Sequence, residues 1–144
     1  MKGYGIMEKN EDQLLKVGKK YKHCKGKIYR VVGLYESNEE SIDLINYRKW
    51  GTPVIDATNG SGDKLVEVYV TKWELKNEDT PYKIIILDSN GKLLEGNYIL
   101  YDALYQQENV TMFIREYNEF MSFAPMEKEK NPYNQKYRFE YSDI

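Results

Sequence analysis

The sequence is poor in the residues that carry most catalytic and metal chemistry. Among 144 residues there is one histidine, His23, and one cysteine, Cys24. A single cysteine excludes an internal disulfide, which is typical of a reducing compartment. Any histidine-dependent nucleophile would have to use His23 as its base. Cys24 is its neighbour, but adjacent side chains in an extended segment point to opposite faces, so the two cannot easily form a nucleophile–base pair. No metal-ligand spacing is recognisable. We therefore expect a non-catalytic protein without metal or cofactor.

Long apolar runs are also missing. No segment approaches the roughly 20 apolar residues of a membrane-spanning helix, and residues 1–8 contain no apolar stretch of signal-peptide length. These absences predict a cytoplasmic protein with no membrane partner. The chain is 41% hydrophobic and 31% charged, with only four prolines, which is typical of a globular rather than a disordered protein.

Charge of one sign is not in excess either. The formal net charge is −2, so the chain as a whole has no electrostatic attraction to nucleic acid, although a local basic patch is not excluded. What is abundant is tyrosine, with 14 residues. Tyrosine favours strands and offers flat surface for stacking and hydrogen bonding. Most of these tyrosines are expected at half-buried strand positions.

The hydrophobic pattern predicts a mainly β protein with little helix. Residues 51–63, with Pro53 and several glycines, are expected to form a long loop. Asn90-Gly91 predicts a tight hairpin turn in which both residues have positive φ. One helical turn is expected at Glu116–Met121. Strands are predicted at Ile28–Tyr35, Ile42–Tyr47, Leu65–Val70, Tyr82–Leu87, Leu93–Leu100 and Met112–Arg115.

The strands fall into two rounds that resemble each other. Residues 29–32 match 82–85, and residues 69–73 match 113–117, which suggests a weak internal duplication. We divide the chain into a first barrel at 17–78, a degenerate second copy or completing half at 79–123, and a linker with a C-terminal strand at 124–144. That strand could close the sheet or pair two chains into a homodimer.

Residues 21–32 read Tyr-Lys-His-Cys-Lys-Gly-Lys-Ile-Tyr-Arg-Val-Val. This segment resembles the Tyr-x-His-x-Lys-Gly-x-x-Tyr-x-Val signature of a bacterial and phage family known as domain of unknown function 1653. The family's aromatic-Val-Arg-Pro ending appears in degraded form at residues 69–72 and 113–116. The resemblance implies an SH3-like small barrel, or two tandem copies of it, and implies little about function.

Two interpretations of the His23-x-Lys25-Gly26 motif stay open. In the structural one, Gly26 permits a turn with positive φ and His23 hydrogen-bonds to backbone. In the functional one, cationic and aromatic side chains converge on one patch that suits an anionic, nucleotide-like ligand. The ligand-binding residues would then be Tyr21, His23, Lys25, Tyr29, Tyr47 and Arg115.

Three functions are compatible with this pattern. The first is a binding module that captures a small anionic ligand, by analogy with phage proteins that sequester signalling molecules. The second is an adaptor that binds a peptide or protein partner through aromatic surface. The third is nucleic-acid binding through an aromatic sheet face, against which the slightly acidic net charge argues.

Overall fold

The computed structural model describes residues 15–39, 47–60, 64–71, 82–104 and 112–142. Within these ranges the chain is mainly β, as the sequence predicts. The strands are β1 (Lys20–His23), β2 (Ile28–Ser37), β3 (Tyr47–Lys49), β4 (Val54–Asp56), β5 (Lys64–Thr71), β6 (Tyr82–Leu87), β7 (Gly96–Ala103), β8 (Met112–Glu116) and β9 (Phe139–Ser142). One helical turn, α1 (Tyr117–Phe120), follows β8 directly. No described helix is long and apolar enough to cross a membrane.

Six of the strands close into a small barrel. Around the ring the order is β2, β6, β5, β4, β8, β7 and back to β2. The β2–β6 and β4–β8 pairs are parallel, and the other four pairs are antiparallel. Both halves of the sequence supply three of these strands. The second half therefore completes the barrel of the first.

The barrel interior is filled by alternate side chains of these strands. Because successive residues of a strand point to opposite faces, Tyr98 and Leu100 of β7 face inward, whereas Ile99 and Tyr101 face outward. The inner cluster is almost entirely aliphatic, which suits a closed barrel of this size. Its buried members are Val54, Val66, Val68, Ile84, Ile86, Tyr98, Leu100, Met112 and Ile114.

A second core lies on the outer face of β2 and β7. Strand β1 extends the sheet from β2, and β9 pairs antiparallel with β1. These two strands and α1 cover the outward-facing side chains of the barrel wall. The second core is largely aromatic, and its buried members are Tyr21, Val31, Ile99, Tyr101, Phe120 and Phe139. The predicted C-terminal strand thus docks on its own chain.

Two local expectations were wrong. The segment expected to be a loop contains β4, which pairs with both β5 and β8 despite Pro53 just before it. At the β6–β7 turn, Gly91 has φ of 79° but Asn90 does not have positive φ. The Asp88 carboxylate accepts hydrogen bonds from the backbone N–H groups of Asn90 and Lys92, at 2.9 Å each, and so stabilises a different turn.

The predicted strand at Leu93–Leu100 begins at Gly96, and only Leu93 before it forms an isolated bridge, to Leu87. The predicted strand at Ile42–Tyr47 lies outside the described residues, apart from Tyr47 at the start of β3. The single helical turn expected near residue 117 is present as α1.

The position of Phe139 in the second core leads to a stability prediction. Phe139→Ala is expected to lower the free energy of unfolding by about 3–5 kcal/mol, because the 5% exposed ring is surrounded by aromatic neighbours. Phe123→Ala is the matched control, since Phe123 is 59% exposed, and it should cost less than about 1 kcal/mol. Urea unfolding measures both values. Equal losses for the two variants would contradict this account of the core.

Candidate functional site

The turn between β1 and β2 places a histidine beside three cationic side chains. The backbone N–H of Gly26 donates to the carbonyl of His23 at 2.7 Å, and the N–H of His23 donates to the carbonyl of Lys27 at 2.8 Å. Across β1, the N–H of Cys24 donates to the carbonyl of Arg138, at 2.8 Å. The C-terminal segment thereby brings Arg138 next to a turn that lies 115 residues earlier in the sequence.

Gly26 is required in this turn for two reasons. Its φ of +112° is a conformation that L side chains rarely adopt. A Cβ atom at this position would also lie 2.7 Å from Cε2 of Tyr133, whose ring packs over the turn. The expectation that Gly26 permits a positive φ is therefore confirmed, and the close ring was not predicted.

The His23 imidazole has a defined hydrogen-bonding state. Its Nδ1 accepts a hydrogen bond from the backbone N–H of Lys25, at 3.1 Å, so in the neutral ring the proton is on Nε2. Burial, together with the positive charges of Arg115, Arg138 and Lys25, lowers the pKa of His23 from 6.5 to about 4. At neutral pH the ring is therefore an uncharged donor in a positive environment.

Phe139 lies beneath this turn and gathers several of the predicted residues. Its ring centroid is 4.8 Å from that of His23 and 6.0 Å from that of Tyr29, both at steep angles. The guanidinium carbon of Arg115 is 5.4 Å from the same centroid, within cation–π range. His23, Tyr29 and Arg115 therefore converge as the sequence interpretation required, around a phenylalanine that it did not include.

Arg115 is held in place by other contacts. It is 7% exposed, its Nε donates to the hydroxyl of Tyr101 at 3.2 Å, and its Nη1 forms an ion pair with Glu119 at 2.7 Å. The Glu119 carboxylate also accepts the backbone N–H of Asn59. A buried arginine with this many partners stabilises the junction of β8 and α1, and it adds positive potential beneath the turn.

The other predicted residues occupy three different environments. Lys25 is exposed at the tip of the turn. Tyr21 is 2% exposed within the second core, and its hydroxyl accepts the backbone N–H of Lys16 at 2.8 Å. Tyr47 begins β3, which pairs with β5 on another wall of the barrel, and its side chain lies outside the described residues. We therefore define the His23 site as His23, Lys25 and Arg138 at the surface, with Arg115 and Phe139 beneath.

Cys24 lies closer to the imidazole than the strand geometry predicted. It falls in the turn after β1, and its Sγ is 3.9 Å from Nδ1 and 4.0 Å from Nε2 of His23. The side chain is 1% exposed, and burial raises the pKa of the thiol. A protonated, buried thiol beside a neutral imidazole is a poor nucleophile. The described residues also contain no group of three or more potential metal ligands.

Arg138 is the surface residue that the sequence interpretation missed. Its Nε donates to Oγ of Ser122 at 3.2 Å, and no ion pair involves it within the described ranges. The available signal was the alternation of residues 137–141, in which aromatic side chains flank Arg138. The alternation predicts a strand but not its neighbour, so the approach of Arg138 to His23 could not be deduced.

A separate groove of about 570 Å³ lies on another part of the barrel surface. It runs between β5, the β3–β4 connection and the β6–β7 turn. The indole N–H of Trp50 donates to the sulfur of Met112 at 3.1 Å and so orients the ring. Leu65 on the groove wall is 58% exposed. The groove is mostly apolar, and only Lys49, Glu67 and Asp88 bring charge to its lining.

Comparisons with protein families, with curated proteins and with solved structures found no match to this chain. The resemblance of residues 21–32 to domain of unknown function 1653 therefore stays a prediction. The function has to be inferred from the chemistry of the sites described above.

The geometry of Gly26 gives a prediction for stability. Gly26→Ala should destabilise the fold by about 1–3 kcal/mol from backbone strain alone, with a further loss from the contact with Tyr133. Gly51→Ala is the control, because a Cβ there meets nothing within 4 Å. Adding Tyr133→Ala to Gly26→Ala should restore only the stability that was lost through the contact of the new Cβ with the Tyr133 ring. Complete recovery in urea unfolding would show that the positive φ carries no strain.

The environment of His23 gives a prediction that one titration can check. Because His23 is the only histidine, its imidazole proton signals in NMR are unambiguous. Their pH titration should give a pKa of about 4. The unfolded chain takes up this proton near pH 6.5, before the folded chain does. The free energy of unfolding should therefore fall as pH is lowered from about 6.5 to about 4, by at most about 3 kcal/mol.

His23→Asn is the control for this prediction, because its side-chain oxygen can still accept the Lys25 N–H but does not titrate. The difference between the pH profiles of the two proteins isolates the histidine from the carboxyl groups. A measured pKa near 6.5 would place His23 in solvent and contradict the described packing.

Proposed function

We propose that this chain is a non-catalytic binding module that captures a small anionic ligand, nucleotide-like in chemistry, at the His23 site. The observation that carries the proposal is the convergence of Lys25, Arg138 and Arg115 on one half-buried imidazole. Of these three cations, only Arg115 forms an ion pair with a carboxylate in the described part of the chain. An anion at the turn would supply the missing counter-charge.

The hydrogen-bonding groups of the His23 site fit a phosphate or carboxylate. Lys25 offers an exposed ammonium and Arg138 a half-buried guanidinium, which can bind two oxygens at once. The Nε2–H of neutral His23 adds an uncharged donor. Tyr29, whose ring centroid is 6.4 Å from that of His23, and the exposed Tyr133 are two aromatic rings near the turn that are not fully buried. A flat base or another ring could pack there while its anionic group contacts the cations.

The absence of an activated nucleophile supports binding rather than turnover. His23 and Cys24 are the adjacent pair of side chains at the site that would form a base and a nucleophile. Burial raises the pKa of Cys24 and so keeps the thiol protonated, and burial lowers the pKa of His23, which makes its imidazole a weak base. Sequestration of a ligand requires affinity alone, which the cationic groups can supply.

A thermal-shift titration tests this proposal. We expect ATP, ADP or inorganic phosphate to raise Tm in a concentration-dependent manner, because a ligand that binds only the folded state stabilises it. Lys25→Ala combined with Arg138→Gln should abolish the shift, since each lost charged hydrogen bond costs roughly tenfold or more in affinity. Lys92→Ala, on the β6–β7 turn, is the matched control. The proposal is rejected if millimolar concentrations of these anions leave the wild-type Tm unchanged.

The apolar groove beside Trp50 favours a second candidate function, that of an adaptor for a partner protein. An extended peptide with an apolar side chain would fit between Trp50 and Leu65, and small β domains commonly bind peptides in aromatic-lined grooves. This function makes the opposite prediction for variants. Leu65→Asp should release such a peptide, whereas Lys25→Ala with Arg138→Gln should leave it bound.

A further inference from the structure

The charges of this chain are strongly separated along the sequence. Residues 15–35 contain seven of the 21 basic residues and none of the 23 acidic residues. The small net charge therefore hides a basic segment within an otherwise acidic protein. The fold keeps these residues together, because they form β1, the following turn and most of β2.

One part of this segment forms a surface that is separate from the His23 site. We call it the basic strip and define it as Lys20, Lys22 and Arg30. These side chains share one face of the sheet, because Lys20 lies opposite Arg30 and Lys22 is two residues further along β1. Arg30 is exposed, and Lys20 and Lys22 are half-buried. None of the three forms an ion pair within the ranges that the structure describes. Three neighbouring cations on one face produce a local positive potential.

The pairing of β1 with β2 increases this potential. Lys20 lies directly opposite Arg30 in the antiparallel pair, an arrangement in which like charges are destabilising. The acidic residues across from the strip are Asp102, opposite Arg30, and Glu140, opposite Lys22. Glu140 is already engaged, because its carboxylate accepts the backbone N–H groups of Lys136 and Tyr137. Asp102 forms no ion pair with Arg30 in the described part of the chain, so no salt bridge offsets the repulsion between Lys20 and Arg30, and an anionic partner would relieve it.

An exposed aromatic ring lies in contact with the basic strip. The ammonium of Lys22 is 3.8 Å from the ring centroid of Tyr133, and Tyr133 is 58% exposed. A similar pair, Lys16 and Tyr141, lies on the other face of the sheet, because Tyr141 is directly opposite Tyr21. The basic strip therefore presents a flat ring beside its cations. Phosphates and bases alternate in the same way along a single nucleic-acid strand, for which charge and stacking are the usual means of recognition.

From these observations we propose that the basic strip binds single-stranded nucleic acid, with lysine and arginine contacting phosphates and Tyr133 stacking on a base. This activity goes beyond the proposed function, because its charged side chains are different, although both proposals use the Tyr133 ring. It would favour no particular sequence, since every base offers a face for stacking. An open sheet face with no recognition helix also gives no means of reading the groove of a duplex.

Fluorescence anisotropy with a labelled oligothymidylate of about 16 nucleotides tests the proposal. We expect binding by the whole chain that weakens as salt rises, and a weaker signal from a duplex of equal length. Lys20→Ala with Arg30→Ala should weaken binding and make its salt dependence shallower, by about 0.7 in the logarithmic slope for each lost phosphate contact. Tyr133→Ala should weaken binding by about tenfold and leave that slope unchanged.

The controls separate this surface from general charge and from the His23 site. Lys64→Ala and Lys92→Ala remove lysines outside the basic segment and should not change the affinity. Lys25→Ala with Arg138→Gln should retain the oligonucleotide while losing the small anion, so the two proposals can fail separately. Urea unfolding checks that each variant is folded.

Three results would overturn the assignment. One is the absence of oligothymidylate binding at low salt. Another is binding that Lys64→Ala weakens as much as Lys20→Ala with Arg30→Ala does. The third is binding to phosphatidylserine vesicles without binding to the oligonucleotide, which would assign the strip to a membrane surface.

Discussion

The packing of Phe139 on Phe120 is the contact on which the position of β9 and the assembly of the His23 site depend. The two rings are nearly parallel, with centroids 3.9 Å apart, and Phe139 also meets Tyr101, Tyr29 and His23. Without this ring, β9 would be held on β1 only by four residue pairs of backbone and by peripheral contacts such as that of Tyr141 with Tyr21. Arg138 would then not reach His23. A hydrophobic contact in the core thus assembles a polar site at the surface, because the residues before and after Phe139 in the strand point away from the core.

The two cores differ in composition and in their position relative to the candidate sites. The inner core is aliphatic, closed within six strands, and presents no polar group that could meet a ligand apart from the Tyr98 hydroxyl. The outer core is aromatic and is covered by short segments from both ends of the described chain. The candidate sites follow this division for the most part. Most of the His23 site and two residues of the basic strip lie in or beside β1 and β9, whereas Arg115 and Arg30 belong to the barrel strands β8 and β2.

The sequence predicts the fold class well because strand formation follows local patterns. Alternation and β-branched residues identified β2, β5, β6 and β8, and the barrel is confirmed. Strand β4 was missed because it has only three residues and its parallel partner β8 is far away in sequence. Asn90 was misassigned because the Asp88 carboxylate favours another turn. In both cases a tertiary or side-chain contact outweighed the local preference.

The candidate site was harder to predict than the fold. The motif around His23 could be recognised because its residues are adjacent in sequence. Arg138 and Phe139 could not be placed there, since nothing in the alternation of residues 137–141 states that β9 pairs with β1. Tyr47 was included because it lies in a similar strand pattern, yet β3 pairs with β5. The net charge of −2 concealed the basic segment, because a sum over the chain contains no information about position.

The two parallel strand pairs have a consequence for how the chain reaches this structure. Tyr35 pairs beside Tyr82, and Val54 beside Met112, so the ring cannot close through neighbouring hairpins alone. Contacts of such high sequence separation slow folding, because the entropy of closing the intervening loops is lost before the contacts form. During synthesis, the early strands must wait for β8 to emerge from the ribosome, and β1 must wait for β9. Their unpaired edges are therefore exposed to aggregation or to chaperones for most of translation.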